Sequence, residues 1–203
     1  YISRDQSSGY EIPSHQGFWV KVAGPGDHFE TVTFNEGNKT TDGNKFLKMG
    51  STEKIAMTLW GYGSYNKAEV RFNDEASYAY DMQYYAFKLP CLDPNYVNLA
   101  TVSSDNLELQ VNSIPLDYMN FNVPIKIYWG ETVPANPSQP LTLTIDELPS
   151  PLTSVCLEDL VTGSSVDLYE GGQHNFTASY APNPTPRFIL HGLASSCVTS
   201  SED

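Results

Sequence analysis

The chain has 203 residues, 24 acidic against 11 Lys and Arg, for a formal net charge of −13. Such acidity repels phosphate backbones and argues against nucleic-acid binding, and the absence of any apolar run near the roughly 18 residues of a membrane span argues against membrane insertion. Aromatic residues make up 12%, 13 of them Tyr, which is enough apolar mass to argue against disorder.

The opening, YISRDQSSGYEIP, is polar and lacks a Met, so the chain reads as a processed product or a piece of something longer. From there the dominant period is two. Thr31-Val32-Thr33-Phe34 alternates. Ile55, Met57 and Leu59 share one strand face; Ala68, Val70 and Phe72 share another, opposite Glu69, Arg71 and Asn73. Leu107, Leu109 and Val111 oppose Glu108, Gln110 and Asn112. Val123, Ile125, Ile127 and Trp129 follow the same rule, as do Leu141, Leu143 and Ile145 against Thr142 and Thr144, and finally Phe188 and Leu190. Turn signals fall between these runs: Gly24-Pro25-Gly26, Glu36-Gly37-Asn38, Asp42-Gly43-Asn44, Gly61-Tyr62-Gly63, Ser103-Ser104-Asp105-Asn106, Thr162-Gly163 and Gly171-Gly172. Residues 75–87 offer a helical turn at most. The pattern predicts an all-β antiparallel β-sandwich. A composition shift at 113–122 suggests two packed Ig-like or jelly-roll-like sandwiches, 1–118 and 119–192, followed by a flexible linker or tail, 193–203, with nothing periodic to bury.

Chemistry-bearing motifs are sparse. His15, His28, His174 and His191 form no zinc spacing, and the chain contains no nucleophile elbow, P-loop or dinucleotide fingerprint, so the expectation is a non-enzyme with no catalytic residues. Cys91, Cys156 and Cys197 are odd in number and form no CxxC. They read most simply as unpaired thiols, two buried and one in the tail, with a single bridge, Cys91–Cys156 or Cys156–Cys197, as the alternative. The densest oxygen-rich stretch, Asn73-Asp74-Glu75 with Asp81, follows a strand and is the place where calcium would bind, through Asn73, Asp74 and Asp81. It lacks EF-hand spacing, and the favoured reading is a turn at Asp74, with no cofactor. Trp60, Tyr62 and Tyr65 flank a Gly-rich turn and form a candidate platform for stacking sugars, whereas Tyr80 and Tyr84 read as packed.

Several segments in order carry a resemblance: Gly17-Phe18-Trp19-Val20-Lys21-Val22, then Ala68-Glu69-Val70-Arg71-Phe72-Asn73-Asp74-Glu75-Ala76 and Tyr85-Ala86-Phe87-Lys88-Leu89. They continue with Val155-Cys156-Leu157-Glu158-Asp159-Leu160-Val161-Thr162-Gly163, Val166-Asp167-Leu168, Asn175-Phe176-Thr177-Ala178 and Arg187-Phe188-Ile189-Leu190-His191. Together they resemble the β-sandwich region that precedes the C-terminal sorting domain in type IX secretion substrates, the surface and secreted proteins of Bacteroidota. Two positions depart from the pattern: Gly192 replaces a usual Phe, and Cys156 a usual apolar residue. The resemblance implies a non-catalytic, extracellular cell-surface module for adhesion, assembly or spacing, met by the type IX machinery through a sorting domain that is missing here. It brings no catalytic residues with it. The alternatives are a carbohydrate-binding accessory module of a polysaccharide-degrading enzyme and a subunit of an extracellular filament or surface layer. Expected partners are a surface glycan or a protein.

Overall fold

The computed structural model describes residues 53–192 except 62, 81–83, 90–92, 94, 130–137 and 182–183, together with Thr31, Thr33 and Cys197. Contacts divide the chain into a unit of residues 51–203 with 1–3 and a unit of residues 4–50; apart from Thr31 and Thr33, every described residue belongs to the first. Of the strands expected before residue 51 only Thr31 and Thr33 are described, both exposed and in no strand; the rest lie outside the described residues, as do Tyr62, Asp81 and Cys91.

All regular structure among the described residues is β. The strands are β1 (Lys54–Gly61), β2 (Ser64–Phe72), β3 (Ala86–Phe87), β4 (Asn98–Val102), β5 (Glu108–Ile114), β6 (Asn122–Tyr128), β7 (Ser138–Glu147), β8 (Val155–Asp159), β9 (Ser164–Leu168), β10 (Gln173–Ser179) and β11 (Phe188–His191). They form one sheet in the order β10-β7-β1-β2-β5-β4-β6-β11-β8-β9, with β3 beside β5. Strands on both sides of residue 118 are paired with one another: β7 with β1, and β6 with β4.

The period-two rule explains the core. Ile55, Met57, Leu59, Ala68, Val70, Val123, Ile125, Leu141, Leu143, Ile145, Phe188 and Leu190 are all buried in one cluster, each the inward member of an alternating strand. Burying each large side chain contributes about 1.5–3 kcal/mol. The β1–β2 hairpin closes on a two-residue loop, with Gly61 opposite Ser64 and Gly63 at a φ of 69° that disfavours any residue with a Cβ.

The antiparallel expectation fails at one pairing. β2 and β5 run parallel, from Glu69↔Val111 to Phe72↔Ile114. A parallel pair needs a crossover of a dozen or more residues, and the chain from Asn73 to Leu107 supplies it. β5 is also buried on both faces near its end. Asn112, expected outward, is buried, and the Ser113 hydroxyl donates to the Tyr84 carbonyl.

The sheet curls until its edge strands, β9 and β10, approach one another, giving a nearly closed, barrel-like form. Arg187 bridges the seam. Its Nη1 donates to the Thr177 carbonyl on β10 at 2.6 Å, and its Nη2 to Asp159 Oδ2 at the end of β8 at 3.0 Å. The guanidinium lies 4.5 Å from the Phe176 ring centroid and 5.2 Å from that of Phe188. Burial alone would raise the Asp159 carboxyl, but Arg187 and the backbone N–H groups of Val161 and Thr162 more than offset it and hold it below the ordinary value. Half-buried His174 stacks on Phe176 beside this pair; its burial and the nearby Arg187 lower its proton affinity, against an opposing pull from Asp159.

Gly192 and Cys156 each have a structural reason. A Cβ on Gly192 would lie 2.5 Å from the Met119 carbonyl oxygen, so the chain passes closer there than any side chain allows. Cys156 points outward from β8 and is joined to Cys197, with Cα atoms 5.5 Å apart. This bridge replaces the expectation of unpaired thiols: an outward strand position is one a later segment can reach, and the chain after β11 reaches it. Residues 193–196 and 198–203 of the expected tail lie outside the described residues.

Arg187→Ala should lower stability to urea unfolding by about 3 kcal/mol, because it strands a buried carboxylate. Arg187→Lys should restore only part of this, since an ammonium lacks the planar fork that meets two acceptors.

Acidification should destabilise the fold in two stages. His174 has a folded pKa below 6.5, so its contribution is complete above 6.5 and is lost as pH falls through the folded value. The lowered carboxylates act likewise at lower pH, Glu69 below 4.5 and Asp159, Asp105 and Asp117 below 3.8. Urea unfolding across a pH series should show both stages, and His174→Phe should remove the first alone.

Candidate functional site

On the outer face of β2, β1, β7 and β10, side chains opposite one another align across strands. Trp60 is the partner of Tyr65 on β2 and of Thr142 on β7, and Thr142 is the partner of Asn175 on β10. Trp60 is 49% exposed and Tyr65 61%, values that exclude a core role for either ring. The rings lie 5.3 Å apart between centroids and are tilted by 46°. Thr142 Oγ1 donates to Asn175 Oδ1 at 2.7 Å, a contact that uses the amide oxygen and not its N–H groups.

Beside this rung is an open groove of about 620 Å3, lined by Trp60, Gly61, Pro140, Leu141, Thr142, Asn175, Phe176 and Thr177. Gly61 shapes it: a Cβ there would meet Leu141 Cδ2 at 2.4 Å. None of the lining residues is charged. An ion pair lies on this face, Lys67–Asp146 at 3.6 Å, with Lys67 Nζ 5.9 Å from the Tyr65 ring centroid and Asp146 also accepting from Thr58.

Of the three platform residues, the structure thus brings Trp60 and Tyr65 together in the open, while Tyr62 lies outside the described residues. Reading the sequence missed Thr142, Asn175 and Pro140. The outward period of Thr142 was visible, but nothing in the sequence showed that β7 and β10 lie next to β1. Tyr80 packs against Tyr85 and Phe87, at 5.7 and 4.6 Å between centroids.

The oxygen-rich stretch at Asn73 folds as a turn. Asn73 Oδ1 accepts the Glu75 N–H at 2.9 Å and its carbonyl accepts the Ala76 N–H at 3.1 Å, while Glu75 accepts from the Tyr84 hydroxyl. Asp74 is exposed, and Asp81 lies outside the described residues. Among the described residues, three metal-type ligands meet at Cys156, Cys197 and Asp167, but two of these sulfurs are bonded to each other and offer no thiolate. His191 is the cross-strand partner of Cys156, yet its ring nitrogens face Asn122 Oδ1 at 2.6 Å and Glu158 Oε2 at 2.8 Å, and the Cys156 sulfur is oxidised. The pair therefore has no nucleophile to activate.

No family model, curated protein or solved structure matches this chain.

Because the Asn73 side-chain oxygen is already committed to its own turn, millimolar calcium should leave the melting temperature unchanged, and chelation should not lower it. A calcium-dependent rise that disappears in Asp74→Ala would reverse this assignment.

Proposed function

We propose that this chain is a non-catalytic, extracellular module of a type IX-secreted cell-surface protein, serving adhesion, assembly or spacing. The observation that carries the reading is the Cys156–Cys197 bridge, which ties a residue beyond the last strand to β8. Disulfides persist in oxidising compartments and are rare in the cytosol. In the chain-entropy account, closing a loop with a sequence separation of 41 stabilises the fold by about 4 kcal/mol.

The non-catalytic part rests on where the perturbed carboxylates are spent. Asp159 holds Arg187, Glu69 pairs with Arg71 and Lys54, Asp105 accepts from the Ser103 hydroxyl and from the distant Tyr80 N–H, and Asp117 accepts bonds within its own turn. The ordered segments that resemble those of type IX substrates support the secretion route. In this reading the curled sheet is the sandwich of that region, β10-β7-β1-β2 forming one layer and β6-β11-β8-β9 the other.

The test is to quench cells that make the protein in acid, tag free thiols, and then reduce and tag again. Cys156 and Cys197 should take the second tag only, and a membrane-impermeant label should reach the protein on intact cells. Free thiols at both positions, together with protection from the surface label, would overturn the proposal.

A further inference from the structure

The rung Tyr65–Trp60–Thr142–Asn175 crosses four strands, and at ~4.8 Å per strand it is about 14 Å long. One end offers two exposed aromatic faces, and the other a hydroxyl and an amide. A ligand that satisfies both must carry flat apolar faces and hydroxyl groups. It must also be uncharged: the lining of the groove has no titratable group although the chain as a whole carries −13, and beyond the lining the Lys67 ammonium, 5.9 Å from the Tyr65 ring, is already paired with Asp146. A charged ligand would lose its hydration there without gaining a counter-charge. Sugars meet all three conditions.

We infer that this groove, with Tyr65 beside it on β2, binds a neutral, β-linked polysaccharide chain lying across the strands, with consecutive sugars stacked on Tyr65 and Trp60 and the next held by Thr142 and Asn175. The 5.3 Å between the two rings is close to the advance per residue of an extended β-linked pyranose chain. The 46° tilt decides the physical form of the ligand. Two planes so inclined cannot both lie flat on one crystalline face, but they can each stack on successive, mutually rotated residues of a single soluble chain. This rests on the chain being a non-catalytic surface module, and it names what that module holds.

The experiment is affinity electrophoresis of the full chain in gels containing a soluble mixed-linkage β-glucan, a soluble xylan, a galactomannan or, as a charged control, polygalacturonate. At least one neutral polymer should retard the protein and polygalacturonate should not. Trp60→Ala and Tyr65→Ala should each weaken retardation about tenfold or more, the change produced by about 1.4 kcal/mol. Asn175→Ala should weaken it less. Because both rings are largely exposed, these variants should melt at the wild-type temperature, which separates lost binding from lost folding. Retardation by none of the three neutral polymers, by polygalacturonate alone, or equally for wild type and Trp60→Ala would overturn the inference. Thiol tagging and surface labelling do not depend on this groove, so they report on the module reading separately.

Discussion

Arg187 holds together two parts of the sheet that the backbone ladder does not. Its guanidinium reaches Thr177 on one edge strand and Asp159 beside the other, and it rests on the rings of Phe176 and Phe188. A curled sheet with unpaired edges exposes N–H and C=O groups to pairing with other chains. Here the edges are neighbours in sequence as well as in space, joined by the turn after β9 that is fastened to β7 by the Gly171 N–H to Ile145 carbonyl bond of 2.7 Å. The seam is filled by a charged clasp and stacked rings instead of a ladder. Its strength therefore depends on charge state, as the strengths of the ladders do not.

The other end of β8 carries a different fastening. Cys156 faces outward in the same row as His191 and Asp167, and its bond to Cys197 lies over that row. Asp167 places a carboxylate within 4.8 Å of both sulfurs. A negative charge there disfavours thiolate formation and repels an attacking thiolate, so both reduction and exchange are opposed. One strand thus receives a charge clasp inside and a covalent one outside.

The groove depends on the same curl from the opposite side. Drawing β10 against β7 puts Asn175 level with Thr142, and the β1–β2 hairpin puts Tyr65 level with Trp60. Rotation between adjacent strands inclines neighbouring side chains, in keeping with the tilt between the two rings. Shape and selectivity of the groove thus come from strand order and twist acting together.

Much of the strand content was legible because burial of alternate residues is local. Ile55-Ala56-Met57-Thr58-Leu59 and Leu141-Thr142-Leu143-Thr144-Ile145 declare their inner faces without any partner, whereas Thr58 and Thr144 on the opposite face are buried as well, which the period does not show. The hairpin between β8 and β9 was legible in the same way, from Thr162-Gly163 between two apolar runs. Trp60 and Tyr65 could be singled out as a pair because the turn joining them is short. What the sequence by itself determined was thus the local part: strand against turn, inward against outward. Tertiary structure alone decided that β2 meets β5 in parallel, that Asn112 is buried, that Cys156 finds Cys197, and that Thr142 and Asn175 complete the rung begun by Trp60. Each of these joins residues distant in sequence. Such contacts are selected by the free energy of the whole packed sheet, which no local period encodes.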